Sequence, residues 1–224
     1  MKSDITKKIE KAKIIAVMDG FSPDILLYTV EALQRGGITT FEIPFNLNDQ
    51  GAERECLIKI AGLKKCFGND ITVGAGNVIT DNAVKLAKGA SADFISAPNV
   101  NKAVLERAAA LNLAAISGAF TTTEVEDARR FGADMIKLLP SKLGDSYDYA
   151  ELMVKTLPHI KFIGCGNLQF QDIAPLNKIG IKNYSLSASL ANLELAKKGE
   201  YEIITNEAKR YMELLNKLST TPPN

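Results

Sequence analysis

The stretch Ile71–Gly89, ITVGAGNVITDNAVKLAKG, contains one complete strand-turn-helix unit. It starts with a short, largely apolar run, Ile71–Gly74, which is typical of a strand buried on both faces. Thr80 and Asp81 then begin an amphipathic segment, a pattern that predicts a capped helix ending near Gly89. The stretch therefore predicts a parallel strand followed by its crossover helix.

The same unit recurs eight times along the chain. The centres of successive apolar runs lie 21 to 30 residues apart, which suits a strand, a short loop and a helix of about three turns. The runs are Ile14–Met18, Thr40–Phe45, Ile71–Gly74, Phe94–Ala97, Ala114–Ser117, Met135–Leu139, Phe162–Gly164 and Tyr184–Ser187. Helices are predicted between them, for example at Asp24–Arg35, Asn101–Leu111 and Asp148–Thr156.

Eight βα units predict a single (β/α)8 barrel. An open, doubly wound sheet is the alternative, but its glycine-rich turn is matched only weakly by Gly74-Ala75-Gly76. We assign residues 1–224 to one barrel domain with an amino-terminal helix at Ile5–Ala12 and a carboxyl-terminal helical tail at Tyr201–Leu218. The active site of such a barrel is expected at the carboxyl ends of the strands.

Composition excludes several classes of function. The chain has 27 basic and 26 acidic residues and a net charge of +1, without the basic excess of a nucleic-acid-binding protein. It has no apolar run long enough to span a membrane and no apolar segment typical of a secretory signal near its start. Three cysteines, Cys56, Cys66 and Cys165, show no CxxC spacing. These features predict a reduced, cytoplasmic protein, in which Cys56 and Cys66 face the core.

Two of the apolar runs contain an ionisable residue, Glu42 in the second and Lys137 in the sixth. Strand side chains alternate between faces, so if Ile136 and Leu138 face the helices, Lys137 points into the barrel. The same alternation points Glu42 inward. We therefore expect the two side chains to face each other near the catalytic mouth.

This pair suggests imine chemistry. Burial is expected to lower the pKa of Lys137, because it disfavours the charged form, and a neutral amine forms a Schiff base with a carbonyl compound. Glu42 would move protons during imine formation and at the neighbouring carbon. The alternative is a buried ion pair that fills the barrel without chemistry.

Other ionisable residues give weaker signals. His159, the only histidine, precedes the seventh strand on the side away from the mouth and is expected at the surface. A Mg²⁺ site at Asp19 or Glu42 remains an alternative, but no pair of carboxylates at a suitable spacing supports one. Cys165 ends a strand and is expected to act as a small apolar filler. No metal and no cofactor is predicted.

The motifs, taken in order, resemble those of the KDPG and KHG aldolase family from about Ile14 to Ala191. Gly36-Gly37-Ile38 with Phe41-Glu42-Ile43 is similar to the family's GG(V/I)…(L/I)E(V/I) segment, and Val73–Val78 to its VGAGTV segment. Ala97-Pro98-Asn99 stands where the family has SPG, and Ile136–Pro140 where it has (F/L)K(F/L)FP. The resemblance implies a class I aldolase in which Lys137 forms the Schiff base and Glu42 is the general acid/base.

The resemblance also implies the substrate and the assembly. The family's reaction cleaves a 2-keto-3-deoxy sugar acid, or a related 4-hydroxy-2-oxo acid, into pyruvate and an aldehyde, and its members are commonly homotrimers. The positions carried over as substrate-binding are Asp19, Asn46, Asn77, Pro98, Gly166, Asn167, Ser187 and Ser189.

Several of these positions depart from the family pattern. Asn46 and Asp19 stand where arginines usually occur, and Asn77 replaces the threonine of VGAGTV. Gly-Gly after the seventh strand is Gly166-Asn167, and Gly-Gly-Ser after the eighth is Ser187-Ala188-Ser189. Neutral amides or an acid thus replace the arginine side chains that would bind a carboxylate. This replacement predicts altered substrate specificity.

Two other functions remain open from the sequence. One is a sugar-phosphate isomerase or epimerase, in which Ser187 and Ser189 would hold phosphate without any need for Lys137. The other is a non-catalytic barrel that serves as a ligand sensor or an assembly subunit, favoured by the loss of the arginines. The retention of both Glu42 and Lys137 favours the aldolase.

Overall fold

The eight predicted strands form one closed parallel barrel in the computed structural model, which describes residues 2–47 and 52–220. Each strand pairs with the next along the chain, and the first pairs with the last to close the barrel. The strands are β1 (Ile14–Val17), β2 (Thr40–Pro44), β3 (Thr72–Gly76), β4 (Phe94–Ala97), β5 (Ala114–Ala119), β6 (Met135–Leu138), β7 (Phe162–Gly164) and β8 (Asn183–Leu186). The predicted (β/α)8 fold is confirmed.

Helices surround this barrel. They are α1 (Lys2–Ala12), α2 (Pro23–Arg35), α3 (Ala52–Phe67), α4 (Asp81–Gly89), α5 (Lys102–Ala110), α6 (Thr122–Phe131), α7 (Asp148–Thr156), α8 (Ile173–Lys178), α9 (Leu193–Lys197) and α10 (Tyr201–Thr220), with a short 3-10 helix at Phe170–Asp172. Local sequence fixes several helix starts. Thr80 accepts a hydrogen bond from the N–H of Ala83 at the start of α4, and Thr121 forms a capping box with Glu124 at the start of α6.

Two strands end later along the chain than the apolar runs predicted. β3 was expected to end at Gly74 but continues to Gly76, which pairs with Pro44 of β2. β5 was expected to end at Ser117 but continues through Gly118 to Ala119, which pairs with Leu138 of β6. Small residues hide these strand ends from a hydrophobicity pattern, although the backbone pairing continues through them.

The amino-terminal end of the barrel is filled by apolar side chains and closed by α1. The interior cluster consists of Ile15, Phe94, Ala114, Ile116, Met135 and Ile163, with Ile9 and Ile5 of α1 packed against it. Burial of this cluster is a main driving force for folding. The apolar packing leaves the opposite, carboxyl-terminal end as the place for polar residues.

The carboxyl-terminal helix α10 packs against α2. A Cβ at Gly36, just after α2, would lie 2.3 Å from the Cβ of Ala208, so the close approach requires glycine there. The hydroxyl of Thr205 donates to the carbonyl of Ala32 across the same contact at 2.9 Å. The tail therefore belongs to the layer of helices around the barrel.

One cysteine prediction is wrong. Both Cys56 and Cys66 lie on α3, but Cys56 is buried and Cys66 is exposed. Ten residues on an α-helix correspond to a rotation of about 280°, so the two side chains leave the helix on different faces.

No helix in residues 2–47 and 52–220 is long and apolar enough to cross a membrane. The domain bounds 1–224 stay a prediction, because Met1 and residues 221–224 lie outside the described residues.

Candidate active site

Glu42 and Lys137 meet inside the barrel. The ammonium Nζ of Lys137 donates to Oε2 of Glu42 at 2.7 Å, and the two side chains are 8% and 5% exposed. They come from β2 and β6, which lie on opposite sides of the closed barrel. The expectation that these side chains face each other is therefore confirmed, while their chemical roles remain a prediction.

Two glycines beside the pair, Gly76 on β3 and Gly118 on β5, allow other groups to approach closely. A Cβ at Gly76 would lie 2.6 Å from Oε1 of Glu42, and a Cβ at Gly118 would lie 2.2 Å from the carbonyl oxygen of Pro98. Gly118 is the register partner of Lys137 on β5. A side chain at Gly76 would therefore displace Glu42, and one at Gly118 would collide with the backbone at Pro98.

The electrostatics of Lys137 differ from the sequence expectation. Burial is the largest influence and lowers the pKa of the ammonium, but the charge and hydrogen bond of Glu42 outweigh it and hold the pKa above its ordinary value. The expectation of a lowered pKa is therefore wrong for the protein without substrate, because the carboxylate lies within hydrogen-bond distance. Burial also raises the pKa of the Cys165 thiol nearby, which keeps it protonated.

A cavity of about 290 Å³ opens from this pair to the carboxyl end of the barrel. Six of the positions expected to bind substrate line it: Asp19, Asn77, Pro98, Gly166, Asn167 and Ser187. Backbone geometry explains two of them, since Asn77 and Asn167 have φ angles of 54° and 51°, in the left-handed region that asparagine tolerates better than most residues. One cavity thus brings together most of the predicted site.

Two expected substrate-binding residues lie elsewhere. Asn46 lines a neighbouring cavity that shares Asp19, Pro44 and Asn77 with the first. Ser189 does not line either cavity, and its hydroxyl oxygen is buried. The carbonyl of Ser187 accepts hydrogen bonds from the backbone N–H groups of Leu190 and Ala191. This turn carries Ser189 away from the mouth.

The cavity also has lining residues that the sequence analysis missed. They are Val17, Pro44, Ser96, Ala97, Gly118, Leu139 and Ser185, together with Cys165, which was expected only as a filler. Strand alternation contained a signal for two of them. Ser96 and Ser185 stand two residues before Pro98 and Ser187, on the same inner faces of β4 and β8.

His159 lies outside the site, as expected. It is at the surface, and its Nε2 lies 3.0 Å from Oε1 of Glu126. Among residues 2–47 and 52–220, no group of three or more His, Cys, Asp or Glu side chains is placed to hold a metal ion.

Known proteins resemble this chain in sequence and fold. The family model for KDPG and KHG aldolase matches residues 5–206. A probable 2-dehydro-3-deoxy-6-phosphogalactonate aldolase of Rhizobium meliloti is 28% identical over 79% of this chain and 81% of its own length. A native KDPGal structure has a TM-score of 0.81 at 23% identity, over 93% of this chain and 96% of that one.

A KDPG aldolase of Legionella pneumophila, solved with pyruvate captured as a covalent carbinolamine intermediate, has a TM-score of 0.79 at 19% identity, over 92% of this chain and 97% of that one. The family match covers both strands that carry the buried Glu42–Lys137 pair and all the strands between them. The chain belongs to the KDPG and KHG aldolase family.

Proposed function

We propose that the protein is a class I aldolase that cleaves a 2-keto-3-deoxy sugar acid, or a related 4-hydroxy-2-oxo acid, into pyruvate and an aldehyde. The observation that carries this proposal is the 2.7 Å contact between Lys137 and Glu42 at the floor of an open cavity. A buried ion pair gives little net stability, which favours a chemical role. Membership in the aldolase family supports the same reaction.

The raised pKa of Lys137 requires that its proton be removed before it attacks a carbonyl. Glu42 is the base within hydrogen-bond distance, so it takes the proton when the substrate enters. The neutral Nζ of Lys137 then attacks C2 of the substrate. The oxygen on C2 takes one proton from the attacking nitrogen and becomes a hydroxyl, Glu42 returns its proton to this hydroxyl, water leaves, and an iminium ion links C2 to Lys137.

Cleavage uses the same two residues. Glu42 takes the proton of the C4 hydroxyl, the C3–C4 bond breaks, and its electron pair flows to the iminium nitrogen of Lys137. The aldehyde leaves and an enamine remains. Glu42 then protonates C3, and water hydrolyses the resulting iminium ion, which releases pyruvate and restores the Lys137 ammonium beside the Glu42 carboxylate.

Neutral groups are proposed to hold the substrate. Asn77 lines both the first cavity and the neighbouring one, and its side-chain amide donates a hydrogen bond to the carbonyl of Phe45 at 3.1 Å. Asn167 and Ser187 lie at the exposed mouth. We propose that these three residues contact the substrate, with Asn46 contributing from the neighbouring cavity.

Assembly and location follow from the resemblance and the composition. We propose a homotrimer, on the family resemblance, and a cytoplasmic location, on the cysteine pattern. Sedimentation analysis of the purified protein tests the first of these, since a trimer of 24.3 kDa chains is well separated from a monomer.

Borohydride trapping tests the proposed reaction. The protein is incubated with pyruvate, reduced, and analysed by intact mass and peptide mapping. We expect a pyruvate adduct on Lys137 that is absent from Lys137→Met and present in Lys59→Met, a control that removes a largely buried lysine whose partner, Glu55, is exposed. An adduct with another carbonyl compound alone would exclude the keto-acid substrate. Absence of an adduct with any carbonyl compound would refute the Schiff-base mechanism.

A further inference from the structure

The cavity is poor in positive charge. Among its described lining residues, the only cation is Lys137, which is paired with Glu42, and Asp19 adds a second carboxylate. The neighbouring cavity contains Lys59, but it too has two carboxylates, Asp19 and Glu55, and Glu55 lies 2.6 Å from the Lys59 ammonium. A dianionic phosphate group would therefore enter a site without a free positive charge.

The loops that form this face of the barrel show the same deficit. The described parts of the segments between each strand and the following helix are residues 18–22, 45–47, 77–80, 98–101, 120–121, 139–147, 165–169 and 187–192. These described parts contain one lysine, Lys142, no arginine, and two aspartates, Asp19 and Asp145. Lys142 is itself bound, with Nζ 3.0 Å from Asp172 and 3.6 Å from Asp145.

Several backbone amides near the ends of β7 and β8 are already used within the protein. The N–H of Gln169 donates to the buried carboxylate of Asp172 at 2.7 Å. The N–H of Leu195, in the first turn of α9, donates to the side chain of Asn192 at 3.1 Å. The turn at Ser187 takes two more amides. Such amides are the groups with which a barrel of this kind binds phosphate.

Neutral hydrogen-bonding groups line the cavity instead. Ser96 and Ser185 are 2% and 6% exposed, and Asn167 and Ser187 stand at the mouth. The hydroxyl oxygen of Ser185 is buried and has no oxygen or nitrogen partner among the described residues; the group beside it is the Cys165 thiol, which is only a weak acceptor. A buried hydroxyl without a partner is costly, and a hydroxyl group of a bound ligand would satisfy it.

From these observations we propose that the compound cleaved at Lys137 carries no phosphate. The aldehyde that leaves is an uncharged hydroxyaldehyde, and Ser185 hydrogen-bonds one of the hydroxyl groups of the substrate. The single carboxylate of the keto acid is tolerated, because the positive iminium ion on Lys137 forms next to it. This inference rests on the proposed aldolase function and specifies its substrate class.

The test compares two aldehydes that differ only in phosphate. After pyruvate trapping on Lys137 has been measured, carbon–carbon bond formation is followed with pyruvate and either glyceraldehyde or glyceraldehyde 3-phosphate. We expect kcat/KM to be at least about tenfold higher for glyceraldehyde than for glyceraldehyde 3-phosphate. A factor of about ten is the loss expected when the phosphate leaves water and lacks one charge-assisted hydrogen bond in the cavity. We also expect kcat/KM for the phosphorylated aldehyde to rise with ionic strength, because salt screens its repulsion from Asp19 and Glu42.

Matched variants connect the preference to the charge of the cavity. Asp19→Asn should raise kcat/KM for glyceraldehyde 3-phosphate several-fold and change the value for glyceraldehyde less. Asp70→Asn alters the net charge equally, but Asp70 is exposed, lies between α3 and β3 at the amino-terminal end of the barrel and lines neither cavity, so it should leave both values unchanged. Ser185→Ala should reduce kcat/KM for glyceraldehyde.

The outcomes separate this inference from the function on which it rests. Pyruvate trapping together with a preference for the phosphorylated aldehyde would overturn the inference and keep the aldolase. Trapping with neither aldehyde accepted would also overturn it, because the cavity would then not take an uncharged hydroxyaldehyde. Failure to trap pyruvate or any other carbonyl compound would refute the proposed function itself.

Discussion

Gly76 offers a direct test of the catalytic pair, because its missing side chain makes room for Glu42. A Cβ built at Gly76 lies 2.6 Å from Oε1, 2.9 Å from Cγ and 3.0 Å from Cδ of Glu42. Gly76 has no positive φ angle, so alanine meets no backbone strain there. The substitution Gly76→Ala therefore acts mainly by displacing the Glu42 carboxylate.

The displacement can be estimated from the structure. Ordinary contact begins near 3.4 Å, so Oε1 must move by about 0.8 Å or more. The hydrogen bond to Lys137, now 2.7 Å, would lengthen beyond the usual range for such bonds. A misplacement of about 1 Å in a catalytic group costs about 100-fold in rate. Overpacking should also lower the free energy of unfolding by about 1–3 kcal/mol.

The assay is the rate of pyruvate release from a 2-keto-3-deoxy acid that the wild-type protein cleaves, combined with urea unfolding. We expect kcat to fall about 100-fold in Gly76→Ala while the protein remains folded. The rate of the pyruvate adduct formation on Lys137 should fall with it, since Glu42 no longer accepts the proton of the ammonium.

Gly62→Ala is the matched control. Gly62 lies in α3, and a Cβ at this position has nothing within 4 Å. Its kcat should stay at the wild-type value, with stability raised by about 0.5–1 kcal/mol, because alanine favours the helix. Wild-type kcat in a folded Gly76→Ala protein would show that the position of Glu42 does not limit the reaction and would refute the reasoning.

Three further predictions concern stability and reactivity. Lys137→Met should lower the free energy of unfolding by about 3–5 kcal/mol, because it leaves the Glu42 carboxylate buried and unpaired. The double variant with Glu42→Gln should restore most of the loss. Urea unfolding that finds no such rescue would contradict this account. Hydrogen bonds and a nearby ammonium hold the pKa of the Asp172 carboxyl below its usual value despite burial, so it stabilises the fold above about pH 4 and that contribution is lost as the pH falls through the lowered pKa. Asp172→Asn should therefore lower Tm at pH 7 and reduce the difference from wild type in acid; an unchanged difference between pH 7 and pH 2 would contradict it. Iodoacetamide should alkylate the exposed Cys66 first and the Cys165 thiol, whose pKa is raised by burial, much more slowly; peptide mapping that finds Cys165 modified first would refute this order.

Much of the fold followed from local sequence, as β4 and α4 illustrate. The strand Phe94–Ala97 and the helix start at Thr80 were both predicted to the residue, because an apolar run and a cap are properties of neighbouring residues. The ends of β3 and β5 were not, since Gly76 and Gly118 pair through the backbone and carry no hydrophobic signal. The exposed face of α3 at Cys66 was also missed.

The candidate site divides in the same way. Strand alternation placed Glu42 and Lys137 on the inner face and made their meeting predictable. Alternation also contained a signal for Ser185, two residues before Ser187, but Ser185 was not predicted. The sequence did not give the direction of the Lys137 pKa shift. That direction depends on the distance between two groups 95 positions apart in the chain, because burial and the opposing charge act in opposite senses.

The sequence alone determined the barrel, the order of its strands and the identity of the charged pair, because periodicity, caps and strand alternation are local. Only the tertiary structure decided which side chains share the cavity and that Ser189 and Asn46 lie outside it. It also decided that Lys142, the one lysine in the described parts of the strand-to-helix loops, is bound by Asp172. These facts depend on how separate βα units pack around a closed barrel, where groups distant in the chain come within the few ångströms over which hydrogen bonds and steric exclusion act.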